Sequence, residues 1–202
     1  MARLAGIAPS RTGRVNWRRF LIALIPGLTL AVVLIQLSTQ AVLAVSLSIS
    51  GAPFTVTAGV LKGRGFEQFP VVDHSAGSGS GRNRFVLEAT AIRSATISHL
   101  CQSVKIGPVS MVIRAGDGAT PVSATNLVVD ADRFSGNATF IHLVQGVAAG
   151  SVNQVPGVTG SDGSFALEAR RVIITHLRQH AFATTAGTFT LPGFSLHLGG
   201  SC

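Results

Sequence analysis

The chain has 202 residues and a formal net charge of +8, but five of its 16 Lys and Arg residues precede residue 20. From residue 45 onward, eleven basic residues stand against eight acidic ones, and this part contains neither Tyr nor Trp. Proteins that bind nucleic acid combine clustered cations with aromatic rings on which bases stack. The composition therefore argues against nucleic acid as a partner, in spite of the high net charge.

An apolar segment follows the basic N-terminus. The stretch Phe20–Ile35 contains no charged residue, and its continuation to Ala44 is long enough to cross a membrane as a helix. Arginines that precede such a segment hold the N-terminus in the cytoplasm. We therefore predict a basic cytoplasmic tail over residues 1–19, a transmembrane helix over residues 20–44 and an extracytoplasmic domain over residues 45–202.

The apolar segment has two interpretations. A retained signal anchor would hold the protein in the cell membrane as a single-pass protein with its C-terminal domain outside. A cleaved signal peptide would release a secreted domain, and Val42-Leu43-Ala44 is an acceptable cleavage site. The lengths of the basic region and of the apolar span favour the anchor.

The exported part has the alternating pattern of β-strands and no amphipathic helix period. Apolar and polar residues alternate over Val45–Ser50, Phe54–Thr57 and Thr188–Leu198, and the last of these is predicted to be a terminal strand. Small residues dominate Ser75–Gly81 and Gly146–Ser164. We predict a flexible surface loop at the first of these segments and a second irregular region at the other.

A weak repeat also runs through the exported part. Four segments share the order apolar, any, apolar, any, Ala: Phe54–Ala58, Phe85–Ala89, Leu127–Ala131 and Phe165–Ala169. Each copy predicts a strand, a tight bend at a small residue and a second strand. The predicted fold is an all-β domain, either solenoid-like or a curved single sheet, with a sandwich as the alternative.

Two cysteines, Cys101 and Cys202, are present in the whole chain. In an oxidising exported compartment such a pair predicts a disulfide, which would also hold the C-terminus in place. The alternatives are two unrelated thiols, or a bond from Cys202 to another molecule.

Five histidines raise the possibility of a metal site, namely His99, His142, His176, His180 and His197. Zinc sites need three or four converging ligands, usually with one closely spaced pair. Only His176 and His180 are close in sequence, and their spacing suits a helix rather than a strand. We predict no metal and no cofactor, and regard these histidines as structural or surface residues.

No hydrolase motif is present. The nearest approach to the G-x-S-x-G elbow is Gly193–His197, whose last position is wrong, so Ser195 is a weak candidate nucleophile. Three acidic residues recur at equivalent repeat positions and could form a calcium-binding ladder: Glu88, Asp130 and Glu168. Surface pairing with nearby arginines is the simpler interpretation. No catalytic residue is predicted.

Several segments resemble a family of uncharacterised, exported actinobacterial proteins of the Streptomyces type, described as a domain of unknown function. They are Gly63–Phe69, Leu100–Val104, Pro121–Leu127 with Asp130, Ala138–Phe140, and Ala186–Gly193 with Cys202. Beyond Phe140 the chain departs from the family, because it carries Val144–Ala149 where the family has a segment like I-G-Q-D-A.

The resemblance implies an anchored or secreted protein of the cell envelope, with a small multi-span membrane protein as a possible partner. Some members are labelled cholesterol esterase, which implies a lipid-ester hydrolase as an alternative. The residues themselves favour a non-enzymatic β domain that binds membrane lipid, wall material or a membrane protein. A self-assembling surface protein is a further alternative, because β-strand edges can pair between copies.

Overall fold

The computed structural model describes residues 52–75 and 83–202, together with Ser48, Ile49, Trp17, Phe20 and Leu24. The chain divides into two compact units, Met1–Ala41 and Val42–Cys202. Apart from Phe20 and Leu24, the predicted membrane segment lies outside the described residues. Within the described residues, no helix has the length and apolar character to span a membrane.

The second unit is all-β, which confirms the predicted fold class. Its strands are β1 (Ser48–Ile49), β2 (Phe54–Ser75), β3 (Arg84–Ser98), β4 (Leu100–Ile106), β5 (Val109–Ala115), β6 (Val122–Ala148), β7 (Phe165–Thr185), β8 (Thr188–Thr190) and β9 (Ser195–Leu198). One 3₁₀ turn, Ala149–Ser151, follows β6.

The four long strands close into a ring. β3 pairs with β2 and β6, and β7 pairs with β6 and β2, in every case antiparallel. Each of the four sequence repeats lies on one of these strands, so the repeat does mark equivalent elements. The strands form one curved sheet, as one alternative predicted, but the sheet closes into a small barrel because Phe54–Ala58 pairs with Leu177–Ala181. The predicted solenoid and sandwich are wrong.

The inside of the ring is filled by apolar side chains. Phe66, Ile92, Val172 and Ile174 are all at most 2% exposed and belong to one core cluster. A cavity of about 30 Å³ remains in this core, and Ile92 and Ile174 are among its lining residues. Small-molecule sites usually measure about 300–1,000 Å³, so the ring interior is a packed core and not a ligand chamber.

A second, smaller core lies on the outer face of β2, β3 and β6. The segment between β6 and β7 covers Phe69, Ala89 and Val128 there, contributing Val152, Val155 and Val158. A Cβ atom at Gly160 would lie 2.7 Å from the Phe69 ring, so only glycine permits this approach of the backbone. The irregular region predicted over residues 146–164 therefore begins with the end of β6 and continues as a packed cover.

Strands β4, β5 and β9 extend the sheet beyond the ring, in the order β2–β4–β5–β9. The single terminal strand predicted over Thr188–Leu198 is wrong, because Leu191–Phe194 turns away between β8 and β9, with Gly193 at φ +66°. β8 pairs with β6, whereas β9 pairs with β5. The predicted loop over Ser75–Gly81 lies outside the described residues, except for Ser75.

The disulfide between Cys101 and Cys202 is present, with the two Cα atoms 5.8 Å apart. It joins β4 to the C-terminus, and the Cys202 backbone N–H donates a 3.4 Å hydrogen bond to Ser103 Oγ. The C-terminal residues are thereby fixed along one face of the extension.

Candidate functional site

Three of the histidines adopt a left-handed backbone conformation, His142 and His176 within β6 and β7 and His99 between β3 and β4. His99, His142 and His176 have φ values of 54°, 56° and 54°. This left-handed conformation is uncommon for residues other than glycine, although His adopts it more readily than most. The repeated His-Leu pairs also suggest that each histidine ends a strand: this is right for His99, which follows the end of β3, and wrong for His142 and His176, which lie inside β6 and β7.

The histidines do not form a metal centre. His180 Nδ1 lies 2.7 Å from Asp132 Oδ1, and His197 is exposed on β9. Nowhere in the described ranges do three His, Cys, Asp or Glu side chains lie close enough together to hold a metal ion.

The three acidic repeat residues do not form a ladder. Glu88 pairs with Ala131 and Asp130 pairs with Ala89 in consecutive rows of the sheet, so their side chains point to opposite faces. Glu88 is exposed, whereas Asp130 is 1% exposed. Surface pairing with arginines is equally absent, since the salt bridge between His180 and Asp132 is the one found within the described part of the chain.

Glu67 is a buried carboxylate that the sequence analysis did not identify. Its Oε2 atom accepts hydrogen bonds from the backbone N–H groups of Gln154 (2.8 Å) and Val155 (3.3 Å). The Arg93 guanidinium donates to the Gln154 carbonyl oxygen at 2.6 Å. Burial raises the pKa of Glu67 to about 7, although the two N–H groups act in the opposite direction. Glu67 and Arg93 together fix the cover segment to the ring.

Asp130 is buried in the same outer layer. It shares a sheet row with Ala89 and Phe69 and is 1% exposed. Burial raises its pKa to about 7, and the nearby carboxylate of Asp73 raises it further. The burial of Asp130 could not be predicted from the sequence, because an acidic residue in an alternating strand pattern normally lies on the solvent-exposed face.

Ser195 lacks the surroundings of a nucleophile. It is exposed at the start of β9 and pairs with Arg114 on β5. No hydrogen bond joins its hydroxyl to a histidine among the residues described. The arrangement therefore lacks the serine–histidine contact on which a hydrolase would depend.

The extension of β4, β5 and β9 has one open apolar face. Residues directly opposite one another in a sheet point to the same face, as do residues two apart along a strand. The two sheet rows that form this face are Phe54–Val104–Met111–Leu198 and Val56–Gln102–Ile113–Leu196. Val56 belongs to the core of the ring. The open face is thus a continuation of the ring interior that no strand of the ring covers.

A groove of about 250 Å³ lies on this face. Its lining residues come from β2, β4, β5 and β7 and the segment before β2: Ala52, Phe54, Gln102, Ser103, Val104, Met111, Ile113 and Phe182. The opposite face of the extension is closed, since Val112 is 0% exposed there. Only the groove side is therefore free to receive an apolar ligand.

The tip of the extension is also apolar. Ile106 and Val109 flank the tight turn between β4 and β5 and are 58% and 42% exposed. Leu198 on the neighbouring strand is 72% exposed. Over residues 100–116 and 193–202 the charged side chains are Lys105 and Arg114, with no Asp or Glu. The extension therefore combines exposed apolar residues with a positive charge balance. This combination was not predicted from the sequence. The signal that could have indicated it is the turn at residues 105–109, which lies between apolar residues.

A comparison with curated proteins and with solved structures found no match to this chain. A comparison with protein families did find one, and the matched segment spans the ring, the cover segment and the extension. Residues 50–202 match the family of unknown function DUF6230, and the chain therefore belongs to that family.

Proposed function

We propose that the protein is a non-enzymatic domain of the cell envelope that binds a membrane lipid on the open face of β4, β5 and β9. The observation that carries the proposal is the groove of about 250 Å³, with Leu196 and Leu198 exposed beside it. Acyl chains bind where apolar surface is already exposed, because their transfer from water contributes about 0.8 kcal/mol per buried CH₂ group.

The charge of the extension favours a membrane lipid over a neutral apolar ligand. Lys105 precedes the apolar tip at Ile106 on the face opposite the groove, and residues 100–116 and 193–202 contain no Asp or Glu. Cations next to exposed apolar residues suit the anionic surface of a bilayer. The apolar segment over residues 20–44, as an anchor, would keep the domain close to such a surface on the outer side of the cell membrane.

The proposal includes the location expected from the resemblance to exported actinobacterial proteins. If the apolar segment is cut after Ala44, the domain is instead secreted and binds lipid away from the membrane. The alternative ligands for the same face are a small multi-span membrane protein and wall material. Each would compete with lipid and would be recovered with the purified protein.

The lipid-ester hydrolase remains the alternative enzymatic function. It requires a serine within hydrogen-bond reach of a histidine and donors for the oxyanion. The exposed position of Ser195 gives it no such partners among the described residues, so the esterase label is the less favoured proposal.

Self-assembly has one specific observation in its favour. β9 is the edge strand of the extension, and all four of its residues are exposed. An exposed edge can pair with a strand of another copy. A full-length protein that stays monomeric at high concentration would argue against this function and leave the lipid proposal in place.

The test is the recovery of lipid with the full-length protein from its native membrane. We expect a defined set of lipids by mass spectrometry, and a several-fold smaller yield from the double variant Leu196→Ser/Leu198→Ser. Phe165→Ser is the matched control, because Phe165 is 59% exposed on β7 away from the groove. Equal lipid yields from the double variant and the unaltered protein would contradict the proposal.

A further inference from the structure

A cleft lies on the surface of the ring, over β2, β3 and β7. Pairing between β2 and β7 covers Phe54–Ala58 and Leu177–Ala181. Where both strands continue beyond this ladder, a cavity of about 410 Å³ lies at the surface. Its lining is Lys62, Gly63 and Arg64 of β2, Ser94, Ala95 and Thr96 of β3, and Arg171, Val172 and Ile173 of β7.

The lining carries three cations and no carboxylate. If the register of β2 and β7 continued, Arg64 would stand opposite Arg171 across the cleft. Like charges opposite one another in a sheet are destabilising. An anion between the two strands would remove this repulsion.

None of the three cations has an acidic partner in the part of the chain that the structure describes. Glu67 and Glu168 are the nearest acidic residues along these strands, and neither lines the cleft. Glu67 accepts its hydrogen bonds from the cover segment, and Arg93, the neighbouring cation on β3, donates to that same segment. Lys62, Arg64 and Arg171 are exposed and remain available to a ligand.

Uncharged donors complete the cleft. Lys62 pairs with Thr96 and Arg64 pairs with Ser94, so two hydroxyl groups stand in the same rows as two cations. The cleft therefore offers hydroxyl donors beside the guanidinium groups.

We propose that this cleft binds a phosphate group, as a phosphate monoester or diester. The guanidinium group presents paired N–H donors that match two phosphate oxygens, and hydroxyl and backbone N–H groups are its usual companions. The volume of about 410 Å³ accommodates a phosphate with a small substituent such as glycerol. This site is separate from the apolar groove, and its ligand is either a soluble phosphate ester or the headgroup of a lipid.

The experiment uses the full-length protein in detergent and two probes. sn-Glycerol 3-phosphate tests a soluble ester by titration calorimetry, and phosphatidylglycerol in nanodiscs tests a headgroup. We expect saturable binding in at least one arm, weakened about tenfold or more in Arg64→Gln/Arg171→Gln because charge-assisted bonds are lost. Arg178→Gln is the matched control, because Arg178 is exposed on the same strand but does not line the cleft.

The outcomes separate this proposal from the lipid groove. Binding that survives in Leu196→Ser/Leu198→Ser but is lost in the arginine double variant supports the cleft. Unchanged thermal unfolding of the arginine variants excludes misfolding as the cause. No saturable binding in either arm, or an equal loss in Arg178→Gln, would overturn the proposal.

Discussion

Buried carboxylates determine how the stability of this domain depends on pH. Glu67 and Asp130 each have a pKa of about 7 in the folded protein, well above the value of about 4 that carboxyls have in unfolded chains. Between these values the folded state binds more protons than the unfolded state. The free energy of unfolding therefore falls as the pH rises from about 4 to about 7, and these two groups cause no further change at higher pH.

Asp130→Asn tests this effect at a single residue. Above pH 7 the unaltered protein must bury an ionised Asp130 close to Asp73, whereas the amide carries no charge. We expect the variant to unfold several degrees higher than the unaltered protein at pH 8, and at nearly the same temperature at pH 5, measured by circular dichroism. Asp117→Asn, at an exposed position, is the control and should show no such difference between the two pH values.

A loss of thermal stability of equal size at pH 5 and pH 8 would contradict the account of Asp130. Such a result would mean that the Asp130 carboxylate makes a favourable contact in the folded state at both pH values. Burial would then not raise the pKa of Asp130 in the folded protein.

At the scale of the elements, left-handed residues allow long strands to curve. β2, β6 and β7 each exceed 20 residues, and β6 and β7 are kinked at His142 and His176. β2 has Gly65 at φ +65°. Straight strands of this length would diverge, so the kinks are what allow four strands to close into a ring.

His142 gives a direct test, because its side chain is exposed and contributes no core contact. A β-branched residue is strained in the left-handed conformation, at a cost of about 1–2 kcal/mol. We expect His142→Val to lower the free energy of unfolding by about that amount, whereas His142→Gly stays within about 1 kcal/mol of the unaltered protein. Denaturant unfolding measures both changes.

Thr139→Val is the control for this comparison, since Thr139 is exposed on β6 and its φ is not positive. This substitution should leave the free energy of unfolding nearly unchanged, because Val has a high propensity for the strand conformation. If His142→Val unfolds at the same denaturant concentration as this control, the kink is not held by a strained conformation.

Sequence patterns predicted much of this architecture. The four-fold repeat identified the four members of the ring, because each must hide an apolar edge from water. Alternation identified Phe54–Thr57 at the start of β2 but wrongly joined β8 to β9. Closure itself was not predictable, since it depends on Phe54–Ala58 pairing with strand residues more than 100 positions away. Each of the left-handed residues His99, His142 and His176 precedes a leucine in the sequence, but that repeated pair does not reveal their backbone conformation.

The candidate sites were harder to predict than the fold. The apolar face depends on register, which places Leu196 beside Ile113 and Leu198 beside Met111. The cationic cleft likewise depends on which residues of β2, β3 and β7 the ring brings together, which no local pattern contains. Neither site contains a sequence motif, and the residues of each site come together only in the folded sheet.

At the scale of the whole molecule, the domain has a packed ring, a cover on one outer face and an extension with one free face. The disulfide between Cys101 and Cys202 closes the other face of that extension. A molecule built in this way has little room for a ligand inside the ring, where the cavity measures about 30 Å³. The lipid binding that we propose is therefore placed on the extension.

Photolabelling of the full-length protein with a phospholipid that carries a photoreactive acyl chain tests this assignment most directly. After irradiation in nanodiscs, peptide mass spectrometry locates the labelled residues. The account predicts labels concentrated in residues 100–116 and 193–202 and at Phe54, and their loss in Leu196→Ser/Leu198→Ser but not in Phe165→Ser. Labels spread evenly over the exposed apolar residues, or unchanged labelling of the extension in the double variant, would contradict it.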